Sequence, residues 1–377
     1  MSVEGIIFSN IHDSNISELT RQRTLASVPF GCRYRLIDFP LSNMVNSNIN
    51  TISVITHYNY HSLMDHIGSG KDWDLARRSG GVKILPPYIT AYANNINNLY
   101  RSRLEALKSV NYSIAQMTSD YVVMSDCDVI CNIDLNDMIG DHIESGADIT
   151  VAVKYMPLTR AAAKNNTLVF TNEEGRITDL LPYPTNFEGY ADVNLNILVI
   201  NRKYLQEAVL DAIAHGYVSM TRDILLRSLA YRNFRVYKYD GYFACISSFE
   251  DYFAHNMQLI ENQEMFDSLF GVETRPIYTK VRNSAPTYYS GSAKVENSLI
   301  ADGCVIEGTV KNSILFRGVK VGRGSVVKNS ILFQDTFIGE NAVLGYSVSD
   351  KNVVIRDGVT LSGHSTLPLY IEKGRMV

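Results

Sequence analysis

VENSLIADGCVIEG at residues 295–308 returns as VKNSILFRGVKVGRG at 310–324 and as VKNSILFQDTFIGEN at 327–341. The Asn-Ser-aliphatic element recurs at Asn297, Asn312 and Asn329. Between its copies, aliphatic residues recur about every six positions, separated by glycine and small residues. A coil of that period buries its aliphatic corners only against a neighbouring coil, so the repeat predicts a left-handed parallel β-helix over residues 286–377. The three asparagines are spaced 15 and 17 residues apart, and that irregularity predicts one coil that bulges a loop. A stack of this kind says little about function, since β-helices occur in acyltransferases and also serve as oligomerisation walls.

Upstream of the repeat, short β-branched runs alternate with longer amphipathic ones: GIIF (5–8), TISVIT (51–56), YVVMSD (121–126), ADITVAV (147–153) and LNILVI (195–200). Apolar residues fall at helical spacing in Tyr60 to Ile67 and Leu104 to Ser109. The alternation predicts an α/β domain over residues 1–248, Rossmann-like and built on a largely parallel mixed sheet. Ligands of such sheets bind beyond the carboxyl ends of the strands, so the loops after GIIF and YVVMSD should line one crevice. FEDYFAHNMQLIENQEMFDSLF (249–270) has helical period and opens a connector over 249–285, its Phe and Met residues serving as packing.

With 377 residues, 46% hydrophobic and 20% charged, the chain is long enough for two cores. A formal charge of −4 provides no large positive field, so neither nucleic acid nor an anionic membrane is an expected partner and any anion site must be local. Five cysteines without zinc-type pairing argue against a disulfide framework or structural metal and for a reducing cytoplasm. The N-terminus lacks the basic and long apolar regions of a signal peptide, and no apolar run approaches the roughly 18–20 residues of a membrane span.

On ELT (18–20), VPFGCRYRLIDFPLSN (28–43), WDLARRSGGVKILPP (73–87), HIESGADITVAV (142–153) and the NSLIADGC and NSILF repeats, the chain resembles the bacterial glucose-1-phosphate adenylyltransferase (ADP-glucose pyrophosphorylase) family. It looks most like that family's poorly catalytic, GlgD-type second subunit. The resemblance implies a GT-A-like nucleotidyltransferase domain followed by the β-helix. Catalytic members join ATP and glucose 1-phosphate and release pyrophosphate, a transfer that depends on positioning, Mg²⁺ and cationic clamps.

Position by position, those parts are missing. The family's Gly-Gly-x-Gly-x-Arg-Leu phosphate loop falls on Asn10 to Ile16, with Asn15 at the arginine and Asp13 adding a negative charge where phosphates arrive. Leu25 stands at a family lysine, and Ser102 to Ala106 replace the nucleotide-reading Gly-Thr-Ala-Asp-Ala. Tyr183 takes the place of the lysine that meets the sugar phosphate. Of the two metal-binding aspartates, Asp128 stands at the first and Cys245 at the second. A neutral thiol is a poor ligand for a hard cation. Asp126, two residues from Asp128, points to the same side of the strand rather than across the crevice. Taken without the family, both carboxylates read as solvated strand ends or helix caps. No catalytic residue is assigned, and Mg²⁺ is expected only with residual activity.

The resemblance also implies an anionic-effector site of the sugar bisphosphate type at Arg23, Arg33 and Arg35, with Gln22 in place of an effector lysine. The alternative is surface arginines plus an ion pair with Asp38. His57, His61 and His66 read as packing and surface residues, and Trp73 as a loop anchor. The expected role is a regulatory, catalytically degenerate cytoplasmic subunit. Its expected partner is the catalytic glucose-1-phosphate adenylyltransferase subunit, and both homo- and hetero-oligomers of tetramer size are expected. The competing readings are an active enzyme with altered ligands and a stand-alone sugar-phosphate sensor.

Overall fold

The computed structural model describes residues 2–86 and 100–377, which leaves Pro87, the end of WDLARRSGGVKILPP, outside the described residues. Strand β1 (Val3–Phe8) lies at the centre of the first domain, with Ile6, Ile7 and Phe8 buried. It pairs in parallel with β2 (Thr51–Ile55), whose outer edge carries β3 (Gly81–Leu85), also parallel. On its other side β1 pairs in parallel with β4 (Tyr121–Asp126). Near-continuous apolar runs suit strands covered on both faces.

Beyond β4 the sheet changes direction. β5 (Ile149–Leu158), β6 (Thr167–Thr171), β7 (Ile177–Pro182), β8 (Gly189–Asn201) and β9 (Phe234–Lys238) complete it. β8 runs antiparallel to β4, β5 and β6, β7 antiparallel to β6, and β9 parallel to β5. Parallel pairing therefore dominates only around β1. The 13-residue β8 alternates buried and half-buried positions, the pattern of an antiparallel strand with one wet face.

The 249–270 segment forms two helices, Phe249–Glu261 and Gln263–Phe270. Asn262 separates them at φ −126 and ψ 102, and its Oδ1 accepts the Met265 N–H at 3.1 Å. That side chain satisfies one of the unpaired donors of the second helix. Phe249, Tyr252, Phe253 and Met257 are buried, so the aromatic residues here are packing, much of it against the second domain.

From Tyr288 the chain winds into three sheets of five parallel strands each, the left-handed β-helix. Partners along one sheet are Tyr288, Val305, Lys320, Phe337 and Val354. Every step there is 17 residues except the 15 from Val305 to Lys320. The short spacing is thus a contraction at the Glu307–Gly308 corner, where a Cβ on Gly308 would lie 2.5 Å from the Ser325 carbonyl oxygen. The bulge sits instead in the last coil, where Val348 pairs with Tyr370 across an excursion closed by a His364–Leu367 bridge. Asn297, Asn312 and Asn329 stack at φ 42, 45 and 47. Asn297 donates its side-chain amide to Asn312, and Asn312 to Asn329, at 3.0 and 3.3 Å. Asparagine tolerates the left-handed region, and the ladder satisfies its side chain. Among the described residues no helix is long and apolar enough to cross a membrane.

Candidate functional site

The loop that leaves β1 folds onto itself through side chains. Asp13 is buried; its Oδ1 accepts the Leu25 N–H at 2.8 Å, while its carbonyl oxygen accepts the Thr20 hydroxyl at 2.6 Å. Burial pushes the Asp13 carboxyl up to about 8, against the Leu25 hydrogen bond and the nearby His12. At neutral pH it is mostly protonated, so the expected negative charge facing incoming phosphates is corrected to an inward, largely neutral clasp between positions 13 and 25. Asn15 is exposed and lines the crevice beyond the strand ends. His12, half-buried, donates from Nδ1 to Asp128 Oδ2 at 2.5 Å.

Asp126 and Asp128 are buried at 2% and 1% exposure, which overturns the reading of solvated strand ends or helix caps. A buried carboxylate needs a partner, and each has one. Arg103, the first residue of the helix Arg103–Ser109, grips Asp126 with two nitrogens, Nε lying 2.8 Å from Oδ1. Ser102 caps that helix by accepting the Glu105 N–H at 3.2 Å. Burial alone would lower the guanidinium's pKa, but the Asp126 charge outweighs it and keeps Arg103 firmly charged. Burial likewise opposes charge on His12 and Asp128. Their mutual attraction prevails, raising the imidazole and holding the carboxyl below its ordinary value.

Cys245 reaches the site from the short strand Ala244–Cys245, antiparallel to Val129–Ile130. Its Sγ lies 3.8 Å from Asp128 Oδ2. Burial, then the Asp128 and Asp126 charges, push the thiol well above its usual range, so it faces the carboxylate as a neutral donor. The family's Mg²⁺ therefore does not fit these residues. Both oxygens of Asp126 and one of Asp128 are engaged by protein cations, leaving Asp128 Oδ1 as the one buried carboxylate oxygen of the pair without a partner among the described residues. A hard divalent cation wants about six oxygen ligands.

The crevice above this cluster has a volume of about 250 Å³ and an amide-rich wall, with Asn165, Asn166, Asn194 and Asn196 beside Tyr183. Tyr183 is 54% exposed and sits at φ 52. Lys164 lines the same wall, supplying from another segment a cation that position 183 lacks.

Residues 12–242 match the nucleotidyl transferase family, and residues 286–365 match the GlmU-like, C-terminal hexapeptide family. The chain is 36% identical over 370 residues to the glycogen biosynthesis protein GlgD of Bacillus subtilis (strain 168), covering 98% of this chain and 95% of that one. It is 35% identical to the glucose-1-phosphate adenylyltransferase of Geobacillus stearothermophilus, over 83% and 80% of the two chains. With the enzyme of that name from Bacillus thuringiensis (strain Al Hakam) the identity is 34%, over 92% and 91%. The chain belongs to the glucose-1-phosphate adenylyltransferase family.

In this family member the three arginines of the basic run separate. Arg23, 3% exposed, donates to both oxygens of Asp350 at 2.6 and 2.9 Å and so is committed to the β-helix. Arg35 is buried and donates to the Ser62 carbonyl and hydroxyl oxygens at 2.6 and 3.0 Å. The arginine–Asp38 ion pair does not form. Asp38 instead accepts His66 Nε2 at 2.6 Å and the Arg35 backbone N–H at 2.9 Å. His66 therefore has a carboxylate partner, whereas His61 is exposed and His57 buried. Trp73 is buried at 1% exposure. Arg33 and Arg35 line a cleft between the domains together with Arg282, Arg317 and Lys351. Burial, then the Arg35 and Arg23 charges, lower Lys351 to about 7.

The residues that sequence reasoning missed are His12, Arg103, Lys164, Arg282, Arg317 and Lys351. For His12 and Arg103 a signal existed: both lie in segments already identified as altered. For the rest, only folding brings distant segments together.

Proposed function

We propose that this protein is the regulatory, catalytically degenerate subunit of an ADP-glucose pyrophosphorylase in glycogen biosynthesis. It would assemble in the cytoplasm, as a hetero-oligomer of tetramer size, with a catalytic glucose-1-phosphate adenylyltransferase subunit. One observation carries the reading: Asp128 faces the neutral Cys245 thiol at 3.8 Å where the family places a second carboxylate. Losing one preorganised charge stabiliser lowers rate by about 10²–10³, and Asn15, Leu25 and Tyr183 remove further cations. A partner subunit can shift the conformational balance of an active neighbour without chemistry of its own.

The test is pyrophosphorylase activity of this chain alone, of the catalytic subunit alone and of their mixture, each with and without fructose 1,6-bisphosphate. Stimulation only in the mixture supports the reading. Mg²⁺-dependent turnover by the isolated chain would favour an altered but active enzyme, and ligand binding without assembly would favour a sensor.

The effector part of the proposal rests on the interdomain cleft, where Arg33, Arg282 and Lys351 converge and can meet a phosphate from several sides. Arg33→Ala should weaken fructose 1,6-bisphosphate binding by about tenfold, the scale of one charge-assisted contact. With Lys351 lowered to about 7, a bound phosphate favours its charged form. Affinity should therefore fall as pH rises above 7, and binding there should take up a proton, measured calorimetrically in buffers of different ionisation heat.

A further inference from the structure

The two carboxylates at the end of β4 sit in protein rather than in water, and both are paired from within the chain. Arg103 occupies both oxygens of Asp126, and His12 occupies Oδ2 of Asp128. His12 Nδ1 also lies 4.0 Å from Asp126 Oδ2, and one ligating atom from each of His12, Asp126 and Asp128 falls within 4.8 Å of the others. The arrangement has the compactness of a metal centre, but its positive charge comes from side chains. Both come from segments that would serve a nucleotide in a catalytic relative: His12 from the phosphate loop and Arg103 from the nucleotide-reading segment.

We propose that His12 and Arg103 are resident counter-cations that stand where a catalytic relative holds its divalent ion, so that this crevice takes its ligands without metal. The inference deepens the reading of the crevice as non-catalytic and rests on it. Two buried carboxylates facing each other demand positive charge between or beside them. Planar, bidentate arginine and an imidazole supply it from within the chain, and a dication approaching the cluster finds one unengaged oxygen, Asp128 Oδ1. A ligand entering past Asn15 and Tyr183 then meets Lys164 and amides, groups that bind phosphate or hydroxyl directly.

The experiment is a Mn²⁺ titration of the full-length protein read by electron paramagnetic resonance, comparing wild type with the His12→Gly/Arg103→Gln double variant. The expected result is no saturable binding to wild type and a gain of at least about tenfold in the variant, the scale on which outer groups tune metal affinity. A folded double variant that gains nothing would overturn the proposal. So would stoichiometric Mn²⁺ or Zn²⁺ binding to wild type that His12→Ala abolishes, since the trio would then be a metal site in its own right. Should the double variant fail to fold, the imidazole ¹⁵N shifts of His12 in wild type decide. Excess Mg²⁺ leaves them unmoved if the proposal holds and displaces them if it does not. Metal binding by wild type in a chain that still stimulates its catalytic partner would sink the counter-cations and leave the regulatory reading standing.

Discussion

At position 13 a carboxyl group is shut inside a loop, with Leu25 N–H on one oxygen. Its pKa rises from 3.8 to about 8 because burial disfavours the charge. The unfolded chain therefore ionises Asp13 well before the folded one. The stability this group contributes is complete below about pH 4 and is lost as pH rises through 8. Asp13→Asn keeps the acceptor for Leu25 and removes the titration. Thermal midpoints of the two proteins should coincide near pH 4, with the variant increasingly the more stable towards pH 9. What the sequence disclosed at this scale was which residues are absent: no glycine in the loop, no arginine at 15, no lysine at 25 or 183, no carboxylate at 245. What replaced them was hidden, because the His12–Asp128 and Arg103–Asp126 pairs join residues 116 and 23 apart in the chain.

Among the elements, the β-helix was the most legible, since its period is local and each coil repeats its neighbour's pattern. The short spacing was legible as an irregularity, but whether it marked a bulge or a tight corner depended on which residues paired. Gly308 occupies that corner, and a Cβ there would meet two backbone oxygens at 2.5 and 2.6 Å. Gly308→Ala should destabilise the protein by about 1–3 kcal/mol, the usual cost of overpacking. Gly291→Ala, with open space around it, should leave the urea midpoint unchanged. In the first domain, apolar alternation located the strands of a mixed sheet but not the direction of each, so which of them pair antiparallel, as around β8, was decided by the fold. The break at Asn262 escaped notice because apolar spacing continues across it, whereas the cap is a single side-chain hydrogen bond.

Across the whole molecule one hydrophobic cluster runs through both domains, while each also keeps a core of its own. Phe30, Tyr252, Phe333 and Phe316 form a chain of edge-on rings with centroid separations of 6.4, 6.3 and 5.3 Å. The Tyr252 hydroxyl donates to the Pro29 carbonyl oxygen at 2.7 Å. Two ion pairs cross the same junction at opposite extremes of exposure. Arg23–Asp350 is 3% and 4% exposed, so Asp350→Ala, which leaves a buried arginine unpaired, should cost about 3–5 kcal/mol in equilibrium unfolding. Arg21–Glu372 is 74% and 52% exposed, and Arg21→Ala should cost at most about 1 kcal/mol. The buried pair also explains why Arg23, grouped by sequence with Arg33 and Arg35, is committed to holding the domains together. By itself the sequence determined the two-domain architecture, the coil repeat and which residue types stand at positions 15, 25, 183 and 245, because period and residue identity are properties of neighbours along the chain. Only the tertiary structure decided strand direction, the carboxylates' new partners and which arginines face the cleft. A buried charge takes whichever opposite charge the fold brings beside it, and that choice has no local signature.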